Sequence, residues 1–302
     1  SYSKDSGTTW TEITATTSGT PISVVAGDKV LLKGSNASYA KDKSNYSGFD
    51  ASGDTNMATY NIEGNVMSLI YGDDFVNRTT FSGGTYNFCS LFKASKAVSA
   101  ENLILPATTL TNYCYRAMFS WATNLEIAPE LPASTLTQGC YWYMFEATAL
   151  QKAPDLLAET LVAECYGNMF TACTNLNYVK CMAKDGFATN NCKQNWLANV
   201  ASSGTFVKNS EVSLETWGRG PSKIPTSWLV YDDFAVSTPS INYDGFDTIE
   251  ITCDTQGATV YYKLDHEANY HIYTTAITIS ADTFVETYSS YDGQTSHTAS
   301  QT

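Results

Sequence analysis

The segment NLEIAPELPASTLTQGCYWYMF, residues 124–145, recurs along the chain in related forms. An earlier copy, NLILPATTLTNYCYRAMF, occupies residues 102–119, and a later one runs over 149–170. A fourth copy begins at residue 175, and a degenerate one carries FCSLF at 88–92. A unit of this length cannot close a hydrophobic core alone. The repetition therefore predicts units that stack into a solenoid.

Cysteines and leucines recur within these copies at steps of about 25 residues, as at Cys89, Cys114, Cys140 and Cys165. A free cysteine packs as a small hydrophobic residue, so this regular step favours a buried repeat position over a disulfide set or a metal site. No CxxC pair occurs in the sequence. The predicted inward-facing set of one unit is Leu125, Leu131, Leu136, Cys140, Phe145 and Leu150.

These units resemble the BspA-like leucine-rich repeat, which has a leucine-rich strand, a proline, an apolar residue and a phenylalanine five positions later. Cys140 and Phe145 have that offset, as do Cys165 and Phe170. Cys-Tyr stands where many members have an Ile-Gly type of pair. The resemblance covers roughly residues 80–180. It implies a surface-exposed, adhesin-like bacterial protein, at the outer membrane or secreted, that interacts with host or microbial surfaces.

The flanks predict two further β modules, in a chain that is mainly β with short helical segments. Residues 1–79 are expected to form an N-terminal β cap domain, and 80–235 the repeats plus a C-terminal cap. Residues 236–302 alternate apolar and polar residues with period 2, which predicts a small antiparallel sandwich. The run TQGATVYYKLD, residues 255–265, resembles the chitobiase/β-hexosaminidase C-terminal type of Ig-like domain.

Local patterns give more detailed expectations. Within residues 1–79 they predict strands at 10–14, 22–25, 29–33, 58–62 and 66–71. The spacing of Trp196, Leu197 and Val200 predicts a helix over 190–200, followed by a strand at 204–207.

Composition narrows the class of partner. The net charge of −13 repels phosphate backbones, which argues against nucleic-acid binding. No apolar run approaches the ~18 residues of a membrane span. No basic-then-apolar leader begins the sequence, so a cytosolic protein or a processed exported one are both compatible with it.

Residue patterns for catalysis and cofactor binding are sparse. The sequence has no GxSxG, GxxxxGK[ST], GxGxxG or HExxH motif, and we expect no catalytic residue, cofactor or metal site. His266 and His271 are not spaced as helical zinc ligands, and His297 is remote from the repeats. The loop from Asp50 to Asn56 offers oxygen ligands. It is either a turn-forming loop or a calcium site.

Aromatic residues are the remaining candidates for a binding site. If the chain is extended after each inward-facing cysteine, the next residue points outward. Tyr115, Tyr141 and Tyr166 would then form an exposed stripe, joined by Trp142 and Tyr143. Such rings suit protein or sugar partners. The alternative is that each tyrosine packs on the neighbouring unit with its hydroxyl at the surface.

The sequence thus predicts a non-enzymatic binding protein that presents a solenoid face to a protein partner, a host or microbial surface protein. The alternative is a carbohydrate-binding protein of a polysaccharide-utilisation system, with a glycan as partner.

Overall fold

The computed structural model describes residues 1–49, 58–220, 222–233, 236–279, 282–291, 294–296 and 298–302. The protein is mainly β, with 27% of residues in strands and 4% in helices. Its contacts divide the chain into two compact units, Ser1–Asp232 and Asp233–Thr302. The expected boundary after residue 79 lies inside the first unit and stays a prediction.

The strands of the first unit are short and pair mainly in parallel. β3 pairs in parallel with β4, β5 pairs in parallel with β6, and β6 also lies beside β7. Its described residues also form two one-turn α-helices and a 3₁₀ helix (Gly72–Asp74). The bounds are β1 Tyr2–Ser3, β2 Leu31–Leu32, β3 Tyr60–Asn65, α1 Ser68–Tyr71, β4 Ala97–Ile104, β5 Tyr178–Cys181, β6 Thr205–Asn209, α2 Leu214–Trp217 and β7 Leu229–Asp233.

Five aligned segments between these strands have one backbone conformation. We call them the turn segments: 86–95, 113–122, 139–148, 164–173 and 191–200. In each segment every fourth residue has a positive φ, as at Tyr113 (59°), Ala117 (52°) and Trp121 (62°) in the second. A non-glycine residue in this left-handed region costs roughly 1–2 kcal/mol. Each segment must therefore recover that cost elsewhere.

Hydrogen bonds along the turn segments offset the cost. Every second backbone N–H group donates a hydrogen bond to the carbonyl oxygen of the residue three positions earlier, as Arg116 N does to Tyr113 O at 3.2 Å. The intervening groups donate to the next segment, as Tyr115 N does to Cys140 O (3.0 Å) and Phe119 N to Met144 O (2.9 Å). The segments are thereby held one upon the next, in parallel and in register.

Equivalent side chains form stacked columns in the core of the first unit. Consecutive rings of Phe92, Phe119, Phe145 and Phe170 have centroids 5.5–5.7 Å apart and are nearly parallel. A second column contains Phe88, Tyr115, Tyr141, Tyr166 and Trp196 at 5.9–6.3 Å. Both columns are buried.

Other aromatic rings cover the ends of these columns. Tyr39 stacks on Phe88, and Phe49 stacks on Phe92. At the other end Trp217 stacks on Trp196 at 5.8 Å. Open apolar ends are thus covered from both flanks, as stacked repeats require.

All eight cysteines are free, and all except the half-buried Cys253 are buried. Cys114, Cys140, Cys165 and Cys192 occupy one column. Cys89 lies outside it, because the hydrogen bonds align Phe88 with Tyr115 and therefore Cys89 with Arg116. The prediction that Cys89 and Cys114 occupy equivalent repeat positions is therefore wrong. Burial raises the pKa of Cys114 to about 12.

The second unit contains two antiparallel sheets, ordered β12-β9-β8 and β11-β10-β13-β14, with β15 also paired to β13. Ile249, Ile251, Val260 and Val285 form their shared core. The alternation at 249–253, 260–262 and 277–279 falls on β9, β10 and β12. The bounds are β8 Ser240–Tyr243, β9 Thr248–Thr252, β10 Thr259–Leu264, β11 His271–Ile272, β12 Ile277–Thr278, β13 Val285–Tyr291, β14 Gln294–Thr295 and β15 Ala299–Gln301.

Several local predictions need correction. The segment predicted as a strand at 66–71 contains α1, whose Leu69 and Ile70 are buried. The segments at 10–14 and 22–25 form no strand, and only Thr11 makes an isolated bridge. The predicted helix at 190–200 is the fifth turn segment. The strand predicted at 204–207 is confirmed as part of β6.

Candidate functional site

The repeated tyrosines do not form an exposed stripe. Tyr115, Tyr141 and Tyr166 are only 1–2% exposed and belong to the buried column that begins at Phe88. The expectation of outward-pointing tyrosines is wrong because it assumed extended backbone, in which neighbours alternate sides. In the turn segments the side chains follow a four-residue pattern. Both the cysteine and the following tyrosine therefore point into the core.

Trp142 and Tyr143, by contrast, are partly exposed and join three residues that the sequence reasoning missed. Together they form a surface cluster on the first three turn segments. We call it the aromatic patch; its members are Tyr86, Tyr113, Arg116, Trp142 and Tyr143.

Two tyrosines at equivalent positions begin the patch. Tyr86 and Tyr113 open the first and second turn segments, and their rings stack at 4.8 Å with an 11° angle between planes. The third segment has Gly139 at this position, in left-handed backbone with φ of 60°. Its missing side chain leaves the space that the ring of Tyr113 fills. The sequence signal for this site is Gly139, which stands at the position where the two earlier units carry tyrosine.

The indole of Trp142 lies next on the surface. It is tilted against Tyr113 at 6.3 Å and stacked on Tyr143 at 5.4 Å. A Cβ on Gly167 would lie 3.1 Å from the indole, so this second glycine also makes room for a ring. The patch therefore depends on two glycines, Gly139 in its own third segment and Gly167 in the fourth.

Arg116 is the cation of the patch. Its guanidinium lies 5.1 Å from the ring of Trp142 and 5.5 Å from that of Tyr143. Cation–π contacts at such distances contribute about 0.5–1 kcal/mol each at exposed sites. Its Nε is buried without a hydrogen-bond partner among the described residues.

A loop from the N-terminal region forms the opposite wall. Residues 42–45 and four members of the patch, Tyr86, Tyr113, Arg116 and Trp142, line an open depression of about 470 Å³. Asp42 organises the loop, because its carboxylate accepts hydrogen bonds from Ser44 N at 2.7 Å and Asn45 N at 3.0 Å. These backbone bonds lower the pKa of Asp42. Lys43 is exposed on the rim.

The phenols of Tyr86 and Tyr113 are protonated at neutral pH. Burial raises the pKa of Tyr113 to about 12, and the hydrogen bond that its hydroxyl donates to Glu164 adds to the shift. Burial also raises the pKa of Tyr86. Both hydroxyl groups therefore remain neutral, and the arrangement is suited to recognition through ring edges, hydroxyls and a guanidinium.

The other residues singled out from the sequence lie apart from the patch. His271 makes a 3.2 Å contact with Glu267 on the exposed surface of the second unit, and His266 stacks on Phe284. His297 and the loop from Asp50 to Asn56 lie outside the described residues. Within the described ranges no group of three or more potential ligands could hold a metal ion.

No helix in the described part of the chain is both long and apolar enough to cross a membrane. Comparisons with models of protein families, with curated proteins and with solved structures find no match to this chain. The case for a function therefore depends on the geometry of the patch.

Proposed function

We propose that this chain is a non-enzymatic, adhesin-like binding protein of a bacterial cell surface, anchored or secreted, which binds a protein partner through the aromatic patch. The observation that carries the proposal is the partly exposed cluster of tyrosine, tryptophan and arginine beside an open depression. These three residue types dominate the energetics of protein interfaces.

The orientation of the rings favours a protein over a sugar. Sugars stack on free aromatic faces. Tyr86 and Tyr113 stack face to face instead, and the far face of Tyr113 packs on Gly139. With its faces covered and its hydroxyl donating to Glu164, Tyr113 contributes apolar ring surface next to a carboxylate, a combination that suits the mixed polar and apolar surface of a protein.

The stacked arrangement also lowers the cost of binding. Rings held by one another and by hydrogen bonds between turn segments lose little freedom when a partner docks. A partner therefore meets a surface that is already in its bound form.

Two architectural proposals accompany this function. The register of parallel hydrogen bonds between turn segments supports a solenoid of the leucine-rich-repeat kind for the middle of the chain. The two antiparallel sheets around Ile251 and Val260 support an Ig-like sandwich for residues 236–302. We assign that second unit a spacer or accessory role.

A binding screen tests the function. Immobilised host-matrix and microbial surface proteins, and separately an array of host and dietary glycans, are probed with the purified chain and with Trp142→Ala. We expect saturable binding to at least one protein that Trp142→Ala weakens at least roughly tenfold, as for an interface hot spot. The matched control is Trp121→Ala, since Trp121 is also a tryptophan of a turn segment, is exposed, and lies outside the patch.

Binding to glycans alone would instead support the carbohydrate-binding alternative. Protein binding that Trp121→Ala and Trp142→Ala weaken equally would contradict the assignment to the patch. A blank on both panels with an intact fold would overturn the proposal.

A further inference from the structure

Arg116 differs from the other two arginines of the chain in having no anionic or carbonyl partner among the described residues. Arg78 donates from Nε to the carbonyl oxygen of Asp74, and Arg219 donates to three backbone carbonyls, Trp228 O among them. No N–H of Arg116 donates to a described residue, and no described carboxylate forms an ion pair with it. Its contacts are the two aromatic rings.

Those rings fix the guanidinium in place. A guanidinium stacked on aromatic rings keeps its planar fork of donors in one orientation. A fork fixed in this way matches the two oxygens of a carboxylate, which it can bind through two parallel hydrogen bonds. Arg116 lines the depression, so an incoming anion can reach the edge of the fork.

The charges around Arg116 also favour an anion. The exposed Lys43 lines the same depression, and no described carboxylate forms an ion pair with it. The nearest acids already have partners. Asp42 accepts hydrogen bonds from Asn45, and Glu164 accepts hydrogen bonds from Tyr113 and from Gln138. These hydrogen bonds come from neutral groups and leave both carboxylates charged, so the lining carries two cations, Lys43 and Arg116, against one carboxylate, Asp42. In a chain of net charge −13 that local balance favours an anion.

We propose that the depression binds an acidic segment of the protein partner, with an Asp or Glu carboxylate on the Arg116 fork. An apolar side chain next to that acid lies against Trp142, which lines the same depression. This inference rests on the proposed function, because it specifies the chemistry of the protein that the aromatic patch recognises.

The test uses the full chain and a library of dodecamer peptides. Each acidic peptide has a matched copy with Asn for Asp and Gln for Glu, and uronic-acid oligosaccharides form a separate arm. We expect peptides with an acid beside an apolar residue to bind, and their amide copies to lose roughly 10- to 100-fold in affinity, as for charge-assisted hydrogen bonds. Binding should weaken as salt is raised.

Variants assign the effect to one side chain. Arg116→Ala should reduce peptide affinity by a similar factor, and Arg116→Lys should also reduce it, because lysine retains the charge but lacks the fork. Arg78→Ala is the matched control: Arg78 also lies over a ring, that of Tyr71 at 4.8 Å, but outside the patch. Thermal melts verify that each variant folds.

The other outcomes separate the two proposals. Peptide binding that is insensitive to amidation or to Arg116→Lys, yet lost in Trp142→Ala, overturns the acidic-segment inference and leaves the protein-binding function standing. A surface protein that binds while no acidic peptide does leads to the same conclusion. Uronic-acid binding through Arg116 in place of peptide binding overturns both proposals in favour of a glycan.

Discussion

The ring of Tyr113 lies directly on the backbone of Gly139, so that a Cβ on that glycine would be 2.3 Å from two ring carbons. The glycine also has a φ of 60°, which is strained for residues with a side chain. The equivalent positions Tyr86 and Tyr113 have the same positive φ with a side chain, so the close approach of the Tyr113 ring is what requires glycine here. That contact supports the platform of the aromatic patch.

Replacing this residue, Gly139→Ala, should displace Tyr113 and break its stack with Tyr86. We expect the free energy of unfolding to fall by about 1–3 kcal/mol, from left-handed alanine backbone together with ring displacement. Urea titration followed by tryptophan fluorescence measures it, since all six tryptophans lie in the first unit. In the control, Gly64→Ala, φ is 89° but nothing lies within 4 Å. If Gly139→Ala and Gly64→Ala lowered the free energy of unfolding equally, the steric contact between Gly139 and Tyr113 would be contradicted.

The phenylalanine column should make a large contribution to stability. Phe145 is fully buried between Phe119 and Phe170, at 5.5 and 5.7 Å. Phe145→Ala should lower the free energy of unfolding by about 3–5 kcal/mol, through lost burial and a residual cavity. Trp121→Ala, at a residue 55% exposed, should change it by no more than about 0.5 kcal/mol. A mild effect of Phe145→Ala in urea titration would argue against a continuous column.

Tyr115 has a buried hydroxyl without a hydrogen-bond partner among the described residues. Tyr115→Phe should therefore raise the free energy of unfolding by about 1 kcal/mol, because it removes an unsatisfied polar group. Tyr113→Phe should instead lower it by up to about 1 kcal/mol, since it deletes the 3.0 Å hydrogen bond to Glu164. Paired urea titrations measure the two signs. Destabilisation by Tyr115→Phe would indicate that the hydroxyl has a partner.

Alkaline pH should destabilise the first unit. Burial raises the pKa of Cys114 and Cys181 to about 12 and that of Cys173 to about 11, from a usual value of 9.0. Above pH 9 the unfolded chain loses thiol protons that the folded chain retains. Their contribution is therefore fully present below pH 9 and is lost as the pH rises toward 11–12.

Urea titrations at pH 8, 9, 10 and 11 should show this decline. Cys114→Ala removes one such thiol. The slope of the free energy of unfolding against pH should therefore become less steep by the contribution of one titrating proton. Constant stability from pH 8 to 11 would contradict the burial of these thiols.

The sequence was sufficient for the mainly β fold and for the residues that stack. Leu136, Cys140 and Phe145 recur at fixed steps and are buried, because a residue shared by every unit is one that each unit packs against the next. The orientation of Tyr141 could not be derived in this way. It depends on left-handed backbone at Gly139 and Tyr143, and only the glycine is a recognised signal of that conformation.

The aromatic patch was only half predictable, for a related reason. Trp142 and Tyr143 drew attention as adjacent aromatic residues, whereas Arg116 occupies a position that varies between units. Its neighbours come from other units and from the loop at 42–45. That assembly depends on the register of stacking, which the hydrogen bonds between turn segments determine.

Tyr86, Tyr113 and Trp142 come from three successive turn segments, so each of these segments contributes at least one ring to the patch. Duplication of a single repeat behind the patch would lengthen the protein without altering the patch or its covered end. Duplication within the patch would instead offer a second copy of the same contacts at a fixed interval. Unequal recombination between repeats would thus change the length of the protein and its number of binding groups by one repeat at a time, while the fold of each repeat stays the same.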